Sequence, residues 1–151
     1  MSIRRETLDS PVAANLIGCL NAELLQRYPE PGANHFSLTA AEVAEGRGGF
    51  FVAYEGERAV ACGALRLLAP ELGEIKRMYV VPEARGAGHG RAMLIWLENF
   101  ARSVGVSRLV LETGERQPEA IALYRSAGFA PISRYGEYAE SPLSFCMGKS
   151  L

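Results

Sequence analysis

The sequence lacks a long apolar run, cysteine pairs at metal-binding spacing and any strong bias of charge. No stretch approaches the roughly 20 apolar residues of a membrane helix, and no apolar signal segment follows the charged N-terminus. With only three cysteines and two histidines, and no C-x-x-C spacing, a disulfide framework or a metal site is not expected. We therefore expect a protein that is not exported and that works in the reducing cytoplasm.

Charge is nearly balanced, because 16 basic and 17 acidic residues give a formal net charge of -1. No overall field draws such a chain to nucleic acid or to an anionic membrane, so neither is an expected partner. In a chain of 151 residues, an apolar content of 48% is enough for one sizeable core. We expect a single domain over residues 1–151.

Apolar runs predict strands in two groups. Residues 50–55 and 59–67 flank a Gly56-Glu57 hairpin turn, and residues 74–81 form a third strand of the same region. Further strands are predicted over residues 3–7, 108–113, 132 and 143–147.

Apolar residues at spacings of three and four predict a helix over residues 90–104, and Pro118 suits the first turn of another. A third helix follows the capping residues Asp9 or Ser10, and a capping box at Thr39 begins a short one. The pattern predicts a mixed α/β fold, with a central mixed sheet of about six to seven strands flanked by about four helices.

A glycine-rich turn lies between the third strand and the helix that follows it. Glycines at 86, 88 and 90 allow backbone N–H groups to approach an anion, and the helix N-terminus adds unpaired donors. Arg85 and Arg91 place permanent positive charge on either side. These features predict a phosphate-binding site.

Two common phosphate motifs do not fit this turn. The dinucleotide pattern G-x-G-x-x-G needs glycine where Arg91 or Met93 stands, and the Gly-Lys-Ser/Thr of a P-loop is absent. The pattern Arg-x-x-Gly-x-Gly, formed by Arg85, Gly88 and Gly90, does fit. It resembles the coenzyme A pyrophosphate motif of the GNAT (GCN5-related N-acetyltransferase) superfamily.

A second block extends the resemblance. Residues 109–113 and 117–129, which include Leu123-Tyr124 and Gly128-Phe129, are similar to the superfamily's second conserved block. One departure is Gln117, which stands where that block usually has asparagine. The resemblance implies a GNAT-like fold, acetyl-CoA as cosubstrate and no metal. It also implies a set of coenzyme-binding residues: Met78, Tyr79, Val80, Arg85, Gly86, Ala87, Gly88, His89, Gly90, Arg91 and Gln117.

The resemblance also assigns candidate catalytic residues. Glu74 matches a glutamate that is the general base in some members, although it could instead be a strand-edge carboxylate paired with Lys76 or Arg77. Glu112 is the reserve candidate for the base. Tyr124 matches the general acid that protonates the leaving thiolate, and its alternative role is core packing on a helical stripe.

The acceptor groove of the family corresponds to residues 28–37, which include His35, and to residues 134–141. The latter carry two tyrosines and two glutamates that suit a cationic or amine-bearing acceptor: Tyr135, Glu137, Tyr138 and Glu140. We therefore expect an N-acetyltransferase that acts on a primary amine of a small molecule or peptide. A non-catalytic acyl-CoA-binding sensor is the alternative. A homodimer is expected through a strand edge near residues 143–147.

Overall fold

The structure, a computed structural model, describes residues 1–31, 33 and 37–151, in which there are seven strands and three α-helices. The strands are β1 (Ser2–Arg5), β2 (Gly48–Glu55), β3 (Arg58–Ala69), β4 (Leu72–Val80), β5 (Arg108–Gly114), β6 (Ala130–Ile132) and β7 (Ser144–Ser150). The helices are α1 (Pro11–Arg27), α2 (His89–Ser103) and α3 (Pro118–Ser126).

All seven strands form one sheet in the order β1-β2-β3-β4-β5-β7-β6. Neighbouring strands are antiparallel except for β4 and β5, which run parallel and are connected through α2. A parallel pair requires a crossover connection of this kind, since a tight turn can only reverse the chain. The predicted mixed α/β class and the predicted number of strands are confirmed.

The helix predicted after Thr39 is a single 3₁₀ turn, Ala40–Val43. Thr39 and Glu42 form the predicted capping box, in which the Thr39 N–H donates to Glu42 Oε1 over 2.9 Å. The next residue, Ala44, is already extended, at φ -67° and ψ 160°, and the chain enters β2 four residues later, at Gly48. The described residues therefore contain three α-helices rather than the expected four or so.

The strand predicted as an exposed edge near residues 143–147 is not an edge. β7 lies between β5 and β6 and is hydrogen-bonded to both, whereas β1 and β6 form the two edges. The sequence did not reveal this, because the pairing of β7 with β5 skips over β6 and depends on contacts distant along the chain. The reason given for dimerisation through this strand is therefore wrong.

The core covers both faces of the sheet. On β2, Phe50 and Val52 pack with the buried face of α1, while Phe51 and Ala53 pack with that of α2. A strand buried on both faces reads as a continuous apolar run instead of an alternating one, as β2 does. The two helices thus cover the middle of the sheet on both faces.

Two irregularities in β4 open the sheet next to the glycine-rich turn. The ladder between β4 and β5 ends at Ile75 and Leu111, so that the two strands diverge beyond these residues. On the β3 side, Arg77 and Met78 together oppose Gly63, which makes a β-bulge. Arg77 has a φ of +57° and is the one non-glycine residue with positive φ among those described. The divergence and the bulge create the space in which the site lies.

Candidate active site

The glycine-rich turn presents unpaired donors to the solvent. Gly86 and Gly88 both have φ near +86°, a conformation that residues with a Cβ adopt only at a cost. Gly88 is the N-cap of α2, and no side chain caps the first N–H groups of the helix. Because the helix N-terminus is also the positive end of its dipole, this turn is suited to an anion.

A cavity of about 300 Å³ lies directly against the turn. The residues predicted for coenzyme binding that line it are Met78, Tyr79, Val80, Arg85, Gly86, Gly88, His89, Gly90 and Gln117. Ala87 and Arg91 are not among its lining residues. The structure thus brings most of the predicted coenzyme residues to one cavity, and their role stays a prediction.

The two arginines around the turn have different surroundings. Arg85 donates from Nε to the Val80 carbonyl oxygen over 2.9 Å, and its Nη2 lies 2.8 Å from Glu23 Oε1. Arg91 donates to Ser126 Oγ on α3 over 2.5 Å and does not line the cavity. Arg85 is therefore the arginine placed to meet a phosphate in the cavity.

The His89 ring is held away from the turn. Its Nε2 lies 3.0 Å from Glu55 Oε1 and its Nδ1 lies 3.2 Å from Met1 Sδ, so that both ring nitrogens face other protein atoms. The side chain is only 6% exposed. With both ring nitrogens occupied, His89 can bind an anion through its main-chain N–H.

A second cavity, of about 140 Å³, is lined by the diverging ends of both β4 and β5. It shares five lining residues with the first cavity: Leu20, Met78, Gln117, Ala120 and Tyr124. It is also lined by residues of α1, by Tyr28 directly after α1, and by Ser144 at the start of β7. The two cavities therefore meet beside Tyr124.

Tyr124 is buried at this junction, with 6% of its surface exposed, and its ring packs edge-on against Phe129 at 5.8 Å. No hydrogen bond joins its hydroxyl to another described residue. Burial raises the pKa of Tyr124, and the nearby charge of Glu112 raises it further. The hydroxyl is thus kept protonated, as a proton donor must be.

Glu112, at the end of β5, lines the second cavity together with Tyr124. Ser144 Oγ donates to Glu112 Oε2 over 2.7 Å. Burial raises the pKa of Glu112 to about 7, and the Ser144 hydrogen bond and Lys76 only partly offset this effect. A carboxyl group with such a pKa exchanges protons readily near neutral pH.

Glu74 has a different environment. It is completely buried and is not among the residues that line either cavity. Arg66 Nε donates to Glu74 Oε1 and the Tyr135 hydroxyl donates to Oε2, each over 2.5 Å. The alternative predicted from the sequence, a carboxylate paired with Lys76 or Arg77, is therefore wrong in its partner, which is Arg66.

Arg66 connects three carboxylates and was not singled out from the sequence. Besides Glu74 it contacts Glu42 over 2.5 Å and Glu137 over 3.3 Å. We call Arg66, Glu42, Glu74, Tyr135 and Glu137 the Arg66 cluster. Its members come from four separate segments of the chain. The one signal in the sequence was a charged residue, Arg66, within a largely apolar stretch of strand.

The segment before β7 contributes Ser141 and Leu143 to the second cavity, together with one of the four residues predicted for the acceptor. Tyr138 lines it, whereas Tyr135 and Glu137 belong to the Arg66 cluster. Glu140 does not line it. His35 lies outside the described residues. The cationic acceptor predicted from two glutamates and two tyrosines therefore loses most of its support.

The profile of the acetyltransferase (GNAT) family matches residues 16–129, which contain both cavities' central walls. The chain belongs to the GNAT family. It is accordingly an acetyl-CoA-dependent N-acyltransferase, as the two sequence blocks implied, and it acts on an acceptor that carries an amine.

Relatives within the family cover the whole chain. An IAA acetyltransferase of Azospirillum brasilense is 40% identical over 100% of this chain and 98% of its own length. The crystal structure of a candidate acyl-CoA N-acyltransferase of Klebsiella pneumoniae superposes with a TM-score of 0.83, at 30% identity over 99% of this chain and 97% of that one. A GNAT acetyltransferase of Elizabethkingia anophelis with acetyl-CoA bound has the same fold, at a TM-score of 0.72, 19% identity and coverage of 99% and 97%.

GNAT membership favours catalysis over the binding-only alternative, because the Azospirillum brasilense and Klebsiella pneumoniae relatives both have the names of transferases. Among residues 1–31, 33 and 37–151, no group of three or more His, Cys, Asp and Glu side chains is placed to hold a metal ion. The same part of the chain has no helix with the length and apolar character needed to cross a membrane.

A pair of glycine substitutions tests the phosphate role of the turn. Gly88 and Gly105 both have φ +86° with open space around the missing Cβ, and they lie at opposite ends of α2. We expect Gly88→Ala and Gly105→Ala each to lower the free energy of unfolding by about 1 kcal/mol, because alanine is strained at positive φ. Only Gly88→Ala should also weaken coenzyme A binding in calorimetric titration. Equal, unchanged affinities in both variants would contradict the role of the turn.

Proposed function

We propose that this transferase moves the acetyl group of acetyl-CoA directly to a primary amine of a small molecule or peptide. The meeting of the two cavities beside Tyr124 is the observation that carries the proposal. A thioester bound along the glycine-rich turn and an amine in the second cavity reach each other only there. Because Glu112 lines the amine side and Tyr124 lies at the junction, the proton acceptor and the proton donor flank the reacting atoms.

Glu112 is the general base in this proposal. An amine has an unperturbed pKa of about 10.4, so it arrives as an ammonium ion and must lose a proton before its nitrogen attacks. The pKa of about 7 that burial gives Glu112 matches this task near neutral pH. Both oxygens of Glu74 already accept hydrogen bonds from Arg66 and Tyr135, which is why we prefer Glu112 to the first candidate from the sequence.

Tyr124 is the general acid. As the carbon–nitrogen bond forms and the carbon–sulfur bond breaks, the Tyr124 hydroxyl gives its proton to the leaving sulfur. Beyond Ile75, β4 has no ladder partner on its β5 side among the described residues, so backbone groups of Met78 and Tyr79 are available for the thioester carbonyl and the pantetheine chain, while the Val80 carbonyl oxygen already accepts from Arg85. The reaction therefore needs no acyl-enzyme intermediate.

The test is a transfer assay with purified protein, acetyl-CoA and a panel of amines, polyamines, amino acids and peptides. Release of free thiol must coincide with an acceptor that gains one acetyl group by mass spectrometry. An acetylated cysteine on the protein, formed before transfer, would contradict direct attack. Binding of acetyl-CoA without turnover on any amine would contradict the proposed acceptor class.

The cytoplasmic location and the homodimer stay predictions. The cysteines are free, with Cys62 and Cys146 buried and Cys19 exposed, which agrees with the reducing compartment proposed here. Light scattering after size-exclusion chromatography would measure the oligomeric state directly.

A further inference from the structure

Two consecutive basic residues, Lys76 and Arg77, both line the second cavity. Their neighbours Ile75 and Met78 line it as well, so this whole stretch of β4 borders the cavity, whereas in a regular strand neighbouring side chains point to opposite faces. The bulge opposite Gly63 and the φ of +57° at Arg77 break this alternation. Backbone outliers of this kind cluster at functional sites, so the placement of two cations on one wall calls for a chemical reason.

Lys76 is held in a fixed position at this wall. Its side chain is 8% exposed, and Nζ donates to the Tyr138 hydroxyl and to the Ser37 carbonyl oxygen, each over 3.1 Å. Burial lowers the pKa of Lys76, while Glu74 and Glu137 favour its charged form. Arg77 donates from Nη1 to Asn21 Oδ1 on α1 over 2.9 Å. Lys76 is thus oriented by two neutral oxygen atoms and by Glu137, and Asn21 is one of the groups that contact Arg77.

The carboxylates nearby compensate these charges only in part. Glu137 is 4.0 Å from Lys76 Nζ but 3.3 Å from Arg66, and Glu42 and Glu74 also pair with Arg66. Among the described lining residues, Glu112 is the only acid, and its pKa of about 7 leaves it partly neutral at neutral pH. A simple cationic amine would therefore enter a cavity whose own wall is positive.

We propose that the acceptor carries a carboxylate beside its amine, as an amino acid does, and that Lys76 and Arg77 bind this carboxylate while the amine faces Glu112. This inference rests on the proposed function. A carboxylate supplies the negative charge that the wall lacks, and charge-assisted hydrogen bonds from a lysine and an arginine are among the stronger ones. The cavity of about 140 Å³ is close in volume to one that holds a benzene molecule, which suits a small acceptor.

Matched acceptors test the carboxylate directly on the unaltered protein. Each of a set of α-amino acids is compared with its amide and with its decarboxylated amine, so that only the group beside the amine changes. We expect kcat/KM for the preferred amino acid to exceed that of both analogues by about tenfold or more, mainly through a lower KM. Amides or plain amines that react as well as the acids would overturn the inference.

Two variants then test whether Lys76 and Arg77 bind the carboxylate of the acceptor. Lys76→Gln and Arg77→Gln should each raise KM for the amino acid by about tenfold and leave KM for the amide nearly unchanged. Arg102→Gln, on the exposed surface of α2, is the matched loss of one positive charge and should change neither value. Equal losses for acid and amide would overturn the carboxylate site. Absence of thiol release with every acceptor would instead contradict the proposed function itself.

Discussion

Replacing Glu112 with glutamine is expected to lower kcat by about 100-fold or more, because the amine then has no residue of matched pKa to take its proton. In the unaltered protein, kcat/KM should rise with pH through about 7, since Glu112 acts only once it is deprotonated and its pKa is about 7. A second rise in kcat/KM at higher pH is expected from deprotonation of the acceptor's own amine. Glu112→Gln should lose the first rise and keep the second, as measured by initial rates of thiol release between about pH 5 and 10.

Glu74→Gln is the matched control, since it changes the other candidate carboxyl group by the same single atom. We expect it to keep the rise near pH 7 and to lower the free energy of unfolding by about 1–3 kcal/mol, because Arg66 loses a buried charged partner. Loss of the rise in Glu74→Gln, with its retention in Glu112→Gln, would restore Glu74 as the base.

Replacing Tyr124 with phenylalanine is expected to lower kcat by about 100-fold or more while coenzyme A affinity changes little. The reason is that only the leaving sulfur needs the hydroxyl proton, whereas the ring still fills the junction and packs against Phe129. Saturating kinetics and calorimetric titration of coenzyme A give the two quantities separately.

Tyr54→Phe provides the control for loss of a buried tyrosine hydroxyl. Tyr54 donates to Glu6 over 2.6 Å on β2, and it lines neither cavity. The Tyr54→Phe variant should have a lower free energy of unfolding and an unchanged kcat. A Tyr124→Phe variant that turns over at the normal rate would remove this residue from the mechanism.

Local features of the site were predictable from the sequence. The glycine-rich turn and the register that places Tyr124 near the end of α3 depend on residues close together in the chain, and both blocks were found as patterns. The contrast between Glu74 and Glu112 was not predictable, because it depends on where the ladder between β4 and β5 ends: Glu74 lies within the ladder and Glu112 just beyond it. Their partners Arg66 and Ser144 are also distant along the chain.

The sheet shows the same division. Strands β2 to β5 follow from apolar runs and turn residues, whereas the insertion of β7 between β5 and β6 depends on pairing across the fold. Likewise, nothing in the run Glu74 to Val80 indicated that Lys76 and Arg77 border one cavity, because the bulge depends on the pairing with β3, where it lies opposite the closely packed Gly63. A Cβ there would lie 2.9 Å from Met78, Leu97 and Met93.

The Arg66 cluster has a practical consequence for redesign. Because Glu42 and Glu137 from separate segments pair with one buried guanidinium, Arg66 ties the segment around Glu42 to the segment before β7. Grafting a foreign loop in place of residues 133–143 would strip Arg66 and Glu74 of Glu137 and Tyr135, and leave buried polar groups unsatisfied. A chimera designed to change the acceptor should therefore exchange this loop together with the other residues of the Arg66 cluster.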